Sequence, residues 1–200
     1  MKRLAVLISG RGSNLQALLD AAAAGRLRGE IALVLSNVAT APGLERARLA
    51  AGVAVATCES AGRSRQDHER AVQEQLRQQR IDVICLAGYM RVLSPGFLVE
   101  FGGPVLNVHP SLLPAFRGRD AQRQAWDHGV KVTGATVHLV DAELDGGPIL
   151  LQEAVPVLDS DSPEDLAARI LGAEHRLYPA AVNLVLGGYR VSGRRVLVTN

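Results

Sequence analysis

Short runs of consecutive apolar residues, spaced by segments of helical period, constrain this chain more than any other feature. The candidate strands built on them are residues 4–8, 31–36, 53–57, 81–86, 105–108, 132–140 and 148–157. Segments 14–24, 44–51, 65–80, 95–101, 120–127 and 163–186 read as helices. Successive side chains of a strand point to opposite faces, so a strand apolar throughout is covered on both. The alternation therefore predicts an α/β chain of Rossmann-like, three-layer α/β/α type, with a mostly parallel twisted sheet of about seven strands. Start signals support the helices: Ser94-Pro95 and Ser162-Pro163-Glu164-Asp165 place a capping hydroxyl before proline and acids. Pro179 is expected to kink or end the last helix near Tyr178. The tail 187–198 reads as a small hairpin. No linker or repeat interrupts the chain, so residues 1–200 are expected to form a single domain.

Composition excludes several classes of function. Twenty-two Lys+Arg against 20 Asp+Glu leave a formal charge of +2, which argues against a polybasic nucleic-acid binder. Only Lys2 and Lys131 among the basic residues are lysine, a bias read first as genomic composition. Aromatic residues are 4% of the chain, so the core must be aliphatic. Cys58 and Cys85 offer neither a disulfide framework nor metal-ligand spacing, so no metal is expected and a reducing cytoplasm is. No apolar run reaches membrane-spanning length. The N-terminal run stops at Ser9-Gly10-Arg11-Gly12 and reads as a buried strand rather than a signal peptide.

Two loops and one strand end carry the chemistry. Ser9-Gly10-Arg11-Gly12-Ser13-Asn14 joins the first strand to the first helix. Glycines let a ligand approach the backbone, and a helix start offers unpaired N–H donors, so phosphate is a natural guest. The alternative is a tight turn capped by Ser13 or Asn14. Leu15 stands where a dinucleotide fingerprint needs its third glycine, and no lysine completes a nucleoside-triphosphate loop. A phosphomonoester is favoured.

Asn107-Val108-His109-Pro110-Ser111-Leu112-Leu113-Pro114 begins where a buried strand runs out. On an extended chain Asn107 and His109 point to the same side. Ligands of open α/β sheets bind beyond the carboxyl ends of the strands. An amide beside an imidazole can stabilise an oxyanion and move a proton, which are the needs of acyl transfer. A lone histidine at a strand end is more often structural. Leu144-Asp145-Gly146-Gly147-Pro148 makes a tight turn that projects the Asp145 carboxylate, unless Asp145 only caps its own turn. No G-x-S-x-G elbow is present, so any nucleophile would belong to the substrate. His138, His128 and His175 read as structural, and His68, in a charged helix, as solvent-exposed.

With these motifs in hand, the sequence resembles the folate-dependent formyltransferases. The first loop is similar to that of their phosphoribosylglycinamide-specific members. The resemblance runs from Leu4 to about Tyr178. It implies a single formyltransferase domain that moves the formyl group of 10-formyltetrahydrofolate, as co-substrate, to the amine of glycinamide ribonucleotide in purine biosynthesis. It implies that Gly12, Ser13 and Asn14 hold the 5′-phosphate, Pro110 lines the phosphoribosyl pocket and Glu174 contacts the ribose. It implies that Asn107 and His109 stabilise the tetrahedral oxyanion while Asp145 steadies the charge on His109 and helps relay protons. Arg91, Val92, Leu93, Val140 and Asp141, with Asn107, would line the folate pocket, and Arg65 and Arg91 would meet its glutamate carboxylates. On bland readings, Arg65 starts a solvated helix and Glu174 pairs with Arg176 or a neighbouring arginine. The rivals are a formyltetrahydrofolate hydrolase and a non-catalytic nucleotide-binding module. Relatives with tRNA or hydrolase activity carry added domains, for which 200 residues leave no room. Monomer and homodimer are both compatible with the sequence.

Overall fold

Strand β1 (Arg3–Ile8) is buried at five successive positions, Leu4 to Ile8, as a strand covered on both faces must be. In this computed structural model, which describes residues 1–199, the chain divides into two compact units, one ending at Leu106 and the other beginning at Asn107. The first holds β1, α1 (Ser13–Ala23), β2 (Glu30–Ser36), α2 (Gly43–Arg48), β3 (Ala54–Thr57), α3 (Arg65–Gln78), β4 (Val83–Leu86) and α4 (Pro95–Phe101). Its strands lie in the order β3-β2-β1-β4, and all three pairings are parallel. Parallel pairing requires a crossover between strands, and the helices supply it. Ser64 and Ser94 cap α3 and α4 by accepting from Asp67 N and Phe97 N. Each such cap contributes about 1 kcal/mol.

Strand β5 (Val105–His109) carries the chain into the second unit. There follow α5 (Ala121–Asp127), β6 (Val132–Leu139), β7 (Ile149–Pro156), α6 (Pro163–Gly187), β8 (Tyr189–Ser192) and β9 (Arg195–Val198). The order is β5-β6-β7-β9-β8. Strands β6 and β7 pair antiparallel, as do β8 and β9, whereas β7 and β9 meet in parallel at Ile149 and Arg195. The expected hairpin forms, with its turn at Ser192-Gly193-Arg194-Arg195, but it also extends the sheet. Among the described residues the strands therefore number nine rather than about seven.

Of the two outcomes expected at Pro179, a stop does not occur, since helix α6 runs through it to Gly187. Proline removes one backbone donor, but the helix buries Leu166, Ile170, Ala173, Leu177, Tyr178, Ala181, Val182 and Val185 along one stripe. Burial of each large aliphatic side chain is worth about 1.5–3 kcal/mol, so the stripe outweighs the lost bond. A capping box of Ser162 and Asp165 starts the helix as the sequence predicts. No helix among the described residues is long and apolar enough to cross a membrane.

Candidate active site

The second unit brings the central residues together. Asn107 and His109 share one side of the end of β5, and Asp145 comes to them from the turn after β6. His109 is buried, with Nε2 2.8 Å from the Phe116 carbonyl oxygen. A carbonyl only accepts, so this nitrogen carries the proton and donates it. Nδ1 faces Asp145 Oδ2 at 3.5 Å, a charge contact longer than a hydrogen bond. That nitrogen is the one a reacting atom or a water can engage. Asp145 does not cap its own turn: Oδ2 accepts from the Gly118 backbone N–H at 2.8 Å. Its carboxylate is almost buried, with 8% of the side chain exposed, so its charge acts in a poorly screened setting.

His138 belongs to this cluster, although the sequence reads it as structural. Its Nδ1 lies 2.9 Å from the Leu139 carbonyl oxygen and so carries a proton. Burial pushes its pKa below the ordinary histidine value, against the Leu139 carbonyl and the Asp145 carboxylate, which favour the charged ring; His109 adds to the lowering. A neutral ring protonated at Nδ1 offers Nε2 as an acceptor. Nε2 stands 3.3 Å from the Asn107 amide nitrogen and 3.7 Å from Asp145 Oδ1. One Asn107 N–H therefore points at His138, and the other is left for a ligand. Nothing in Thr136-Val137-His138-Leu139-Val140 announces this, because its partners lie on β5 and on the later turn.

The loop after β5 is fixed by hydroxyls that are themselves engaged. Ser111 Oγ donates to the Ala115 carbonyl at 2.5 Å. Thr136 Oγ1 donates to the Ser111 carbonyl at 2.7 Å and accepts from Leu113 N and from Gln152 Nε2. Neither hydroxyl is poised as a nucleophile. Pro110 follows His109 directly and is half-buried, as is Val140, while Asp141 is exposed and accepts from Glu143 N. Glu174 is buried on α6. Arg176 pairs with Glu153.

In the first unit, Gly12 precedes α1 at φ +71°, and no side chain caps the helix. The Gly10-to-Asn14 loop is set by glycine against glycine. A Cβ on Gly12 would meet the Gly43 Cα at 2.9 Å, and Gly43 N donates to the Gly10 carbonyl. Ser13 is half-buried and Asn14 buried at the helix start. Sequence reading missed Ser9, whose hydroxyl donates to Asn37 Oδ1 at 2.5 Å and accepts from Met90 N at 2.8 Å, tying the ends of β1, β2 and β4.

Arg65 and Val92 also meet in this unit, for Arg65 Nη2 donates to the Val92 carbonyl at 2.7 Å and Nε to Glu69 at 3.2 Å. Arg65 is thus tethered rather than a loose helix start. Val92 is exposed, Leu93 buried and Arg91 half-buried. His68 corrects the sequence reading: it is buried, with Nε2 2.7 Å from Tyr89 Oη. It shares the inner stripe of α3 with Val72 and Leu76, at intervals of four residues. Burial and then Arg91 lower its pKa, and burial raises that of Tyr89. Among the described residues, no group of three or more His, Cys, Asp or Glu side chains could hold a metal ion.

Comparison with known proteins places the chain in a family. Residues 2–182 match the family described as formyl transferase. The phosphoribosylglycinamide formyltransferase of Escherichia coli is 45% identical over 186 residues, spanning 92% of this chain and 87% of that protein. The human trifunctional purine biosynthetic protein adenosine-3 is also 45% identical, over 93% of this chain but 18% of its own length. The crystal structure of glycinamide ribonucleotide transformylase 1 from Symbiobacterium toebii superposes with a TM-score of 0.96 at 51% identity, covering 100% of this chain and 95% of that one. The chain belongs to the formyl transferase family.

Proposed function

We propose that this chain is a phosphoribosylglycinamide formyltransferase that moves the formyl group of 10-formyltetrahydrofolate to the amine of glycinamide ribonucleotide. The observation that carries the reading is the convergence of Asn107, His109 and Asp145 beside hydroxyls that are already hydrogen-bonded. Such a site can stabilise an oxyanion and move protons, and it leaves the nucleophile to the substrate. The amine nitrogen bonds to the formyl carbon, and the carbonyl electron pair moves onto oxygen. The free N–H of Asn107 donates to that oxyanion, and His109, through Nδ1, adds positive charge beside it. Asp145, with water, takes a proton from the new ammonium and returns it to the folate nitrogen as the carbon–nitrogen bond breaks. The products are N-formylglycinamide ribonucleotide and tetrahydrofolate.

The other positions follow from the same reading. The backbone and side chains of Gly12, Ser13 and Asn14, at the start of α1, suit the 5′-phosphate. Pro110 and Glu174 line the ribose side. For the folate the same reading names Arg91, Val92 and Leu93 in the first unit and Asn107, Val140 and Asp141 in the second, with Arg65 and Arg91 for its carboxylates. His138 acts by holding the Asn107 amide in one orientation. Cys58 and Cys85, both buried and neither in a disulfide, suit a cytoplasmic enzyme.

The test is an assay of tetrahydrofolate release from 10-formyltetrahydrofolate with and without glycinamide ribonucleotide. Release that depends on the amine supports the transferase. Release at the same rate without it would mark a hydrolase and overturn the proposal.

A further inference from the structure

The Asp145 carboxylate stands on a turn with few ties of its own. Asp145 adopts φ +49°, a left-handed conformation that costs a residue with a side chain some energy. Residues 141–144, just before it, are exposed. Inside the turn, Gly146 N donates to Glu143 O at 3.0 Å and Glu143 N to Asp141 Oδ1 at 2.9 Å. Gly147 admits no side chain, since a Cβ there would lie 1.8 Å from the Leu139 carbonyl oxygen. From the loop after β5, Arg117 pairs with Glu143 and Gly118 N donates to Asp145, but neither holds the backbone on the glycine side of Asp145, which needs an anchor of its own if the carboxylate is to keep its distance from His109.

The terminal hairpin supplies one. Strand β9 joins β7 at Ile149 and Arg195, one residue after the proline that closes the Asp145 turn. Arg194, in the hairpin's own turn, donates through Nη2 to the Gly146 carbonyl. We propose that Arg194 is a positioning residue for the formyl-transfer reaction, pinning the Gly146 peptide so that Asp145 stays on His109 and Gly118. The proposal rests on the catalytic reading of Asp145 given above. It assigns the hairpin beyond residue 187 a part in the active site, although the family match ends at residue 182.

A mutant cycle in the full chain tests this, with Arg194→Ala and Arg194→Lys made in the wild-type and in the Asp145→Asn backgrounds. In the wild-type background Arg194→Ala is expected to lower kcat about tenfold, as displacement of a reacting group does, with the KM for glycinamide ribonucleotide and the melting temperature unchanged. Arg194→Lys, which keeps a cationic donor, recovers part of the loss. In the Asp145→Asn background Arg194→Ala changes kcat less than about twofold, because no carboxylate remains to be misplaced. Equal fold-losses in both backgrounds would show general damage to the fold and overturn the proposal, as would wild-type kcat in Arg194→Ala. Asp145→Asn by itself reports on the underlying reading: near-normal turnover there removes the catalytic role on which the proposal depends, whereas a large loss there with none in Arg194→Ala sinks the Arg194 proposal alone.

Discussion

His68 in the first unit and His138 in the second are equally buried, each 2% exposed, and burial lowers the pKa of both. Their surroundings differ, although each has a carboxylate that favours the charged ring, Glu69 for His68 and Asp145 for His138. The ionic neighbours of His68 that lower its pKa are cations, Arg91 and Arg63, and its ring meets the hydroxyl of Tyr89. His138 faces the Asp145 carboxylate and the amide of Asn107, a group with a second N–H to give. Burial alone does not make a histidine functional. What matters is whether the group it holds is left with an unused donor where a ligand can reach it. His68 ties up a phenol inside the fold, whereas His138 sets the direction of an amide at a strand end.

That contrast can be broken or sharpened by substitution. The largest effect is expected within the second unit: His109→Asn should lower kcat by about 10³-fold, the upper range for loss of a group that stabilises an oxyanion, with glycinamide ribonucleotide still bound, as calorimetry would show. Asn107→Ala removes the proposed oxyanion donor and should cost about 10²–10³-fold in kcat with little change in KM. His138→Phe keeps the ring volume but not the acceptor, so the Asn107 amide loses its orientation. Loss of one such hydrogen bond, about 1 kcal/mol, corresponds to roughly fivefold in kcat. His68→Phe is the control, expected to leave kcat unchanged and to lower unfolding stability by about 1–3 kcal/mol, because the Tyr89 hydroxyl loses its buried partner. A fall in kcat for His68→Phe comparable to that for His138→Phe would erase the distinction.

The two histidines should behave alike in one respect only. Each has a folded pKa below the ordinary value of 6.5. Between the folded value and 6.5 the unfolded chain binds more protons, so stability rises with pH there. The stabilising contribution is complete above 6.5 and is lost as pH falls through the folded values. Denaturant titrations at pH 7 and pH 5 should show this loss, and His68→Phe, which cannot titrate, should show less of it.

Much of the fold was legible because burial on both faces writes itself as an unbroken apolar run. Leu4 to Ile8 and Ile31 to Leu35 are such cases, and the helix caps at Ser94 and Ser162 follow equally local rules. Asn107, His109 and Asp145 were legible because two-residue spacing on a strand and a double-glycine turn fix directions locally. The rest depended on partners distant in sequence. His138 is joined to Asn107 across 31 positions, and Arg194 to Gly146 across 48. His68 did carry a signal, its four-residue spacing from Val72 and Leu76, but the charged residues around it on α3 outweighed that stripe. The pairing that enlarges the sheet, Ile149 with Arg195, joins two segments with all of α6 between them.

The central claim is that the site carries no nucleophile of its own and that the substrate amine attacks the formyl carbon beside Asn107, His109 and Asp145. The most direct measurement follows that carbon, using a donor folate labelled with ¹³C in the formyl group and NMR of a single turnover with glycinamide ribonucleotide. The account predicts that the label moves in one phase from the folate to the amide of N-formylglycinamide ribonucleotide, and that His109→Asn slows this phase without diverting the carbon. Label accumulating on the protein, or leaving as formate in the presence of the amine, would contradict it.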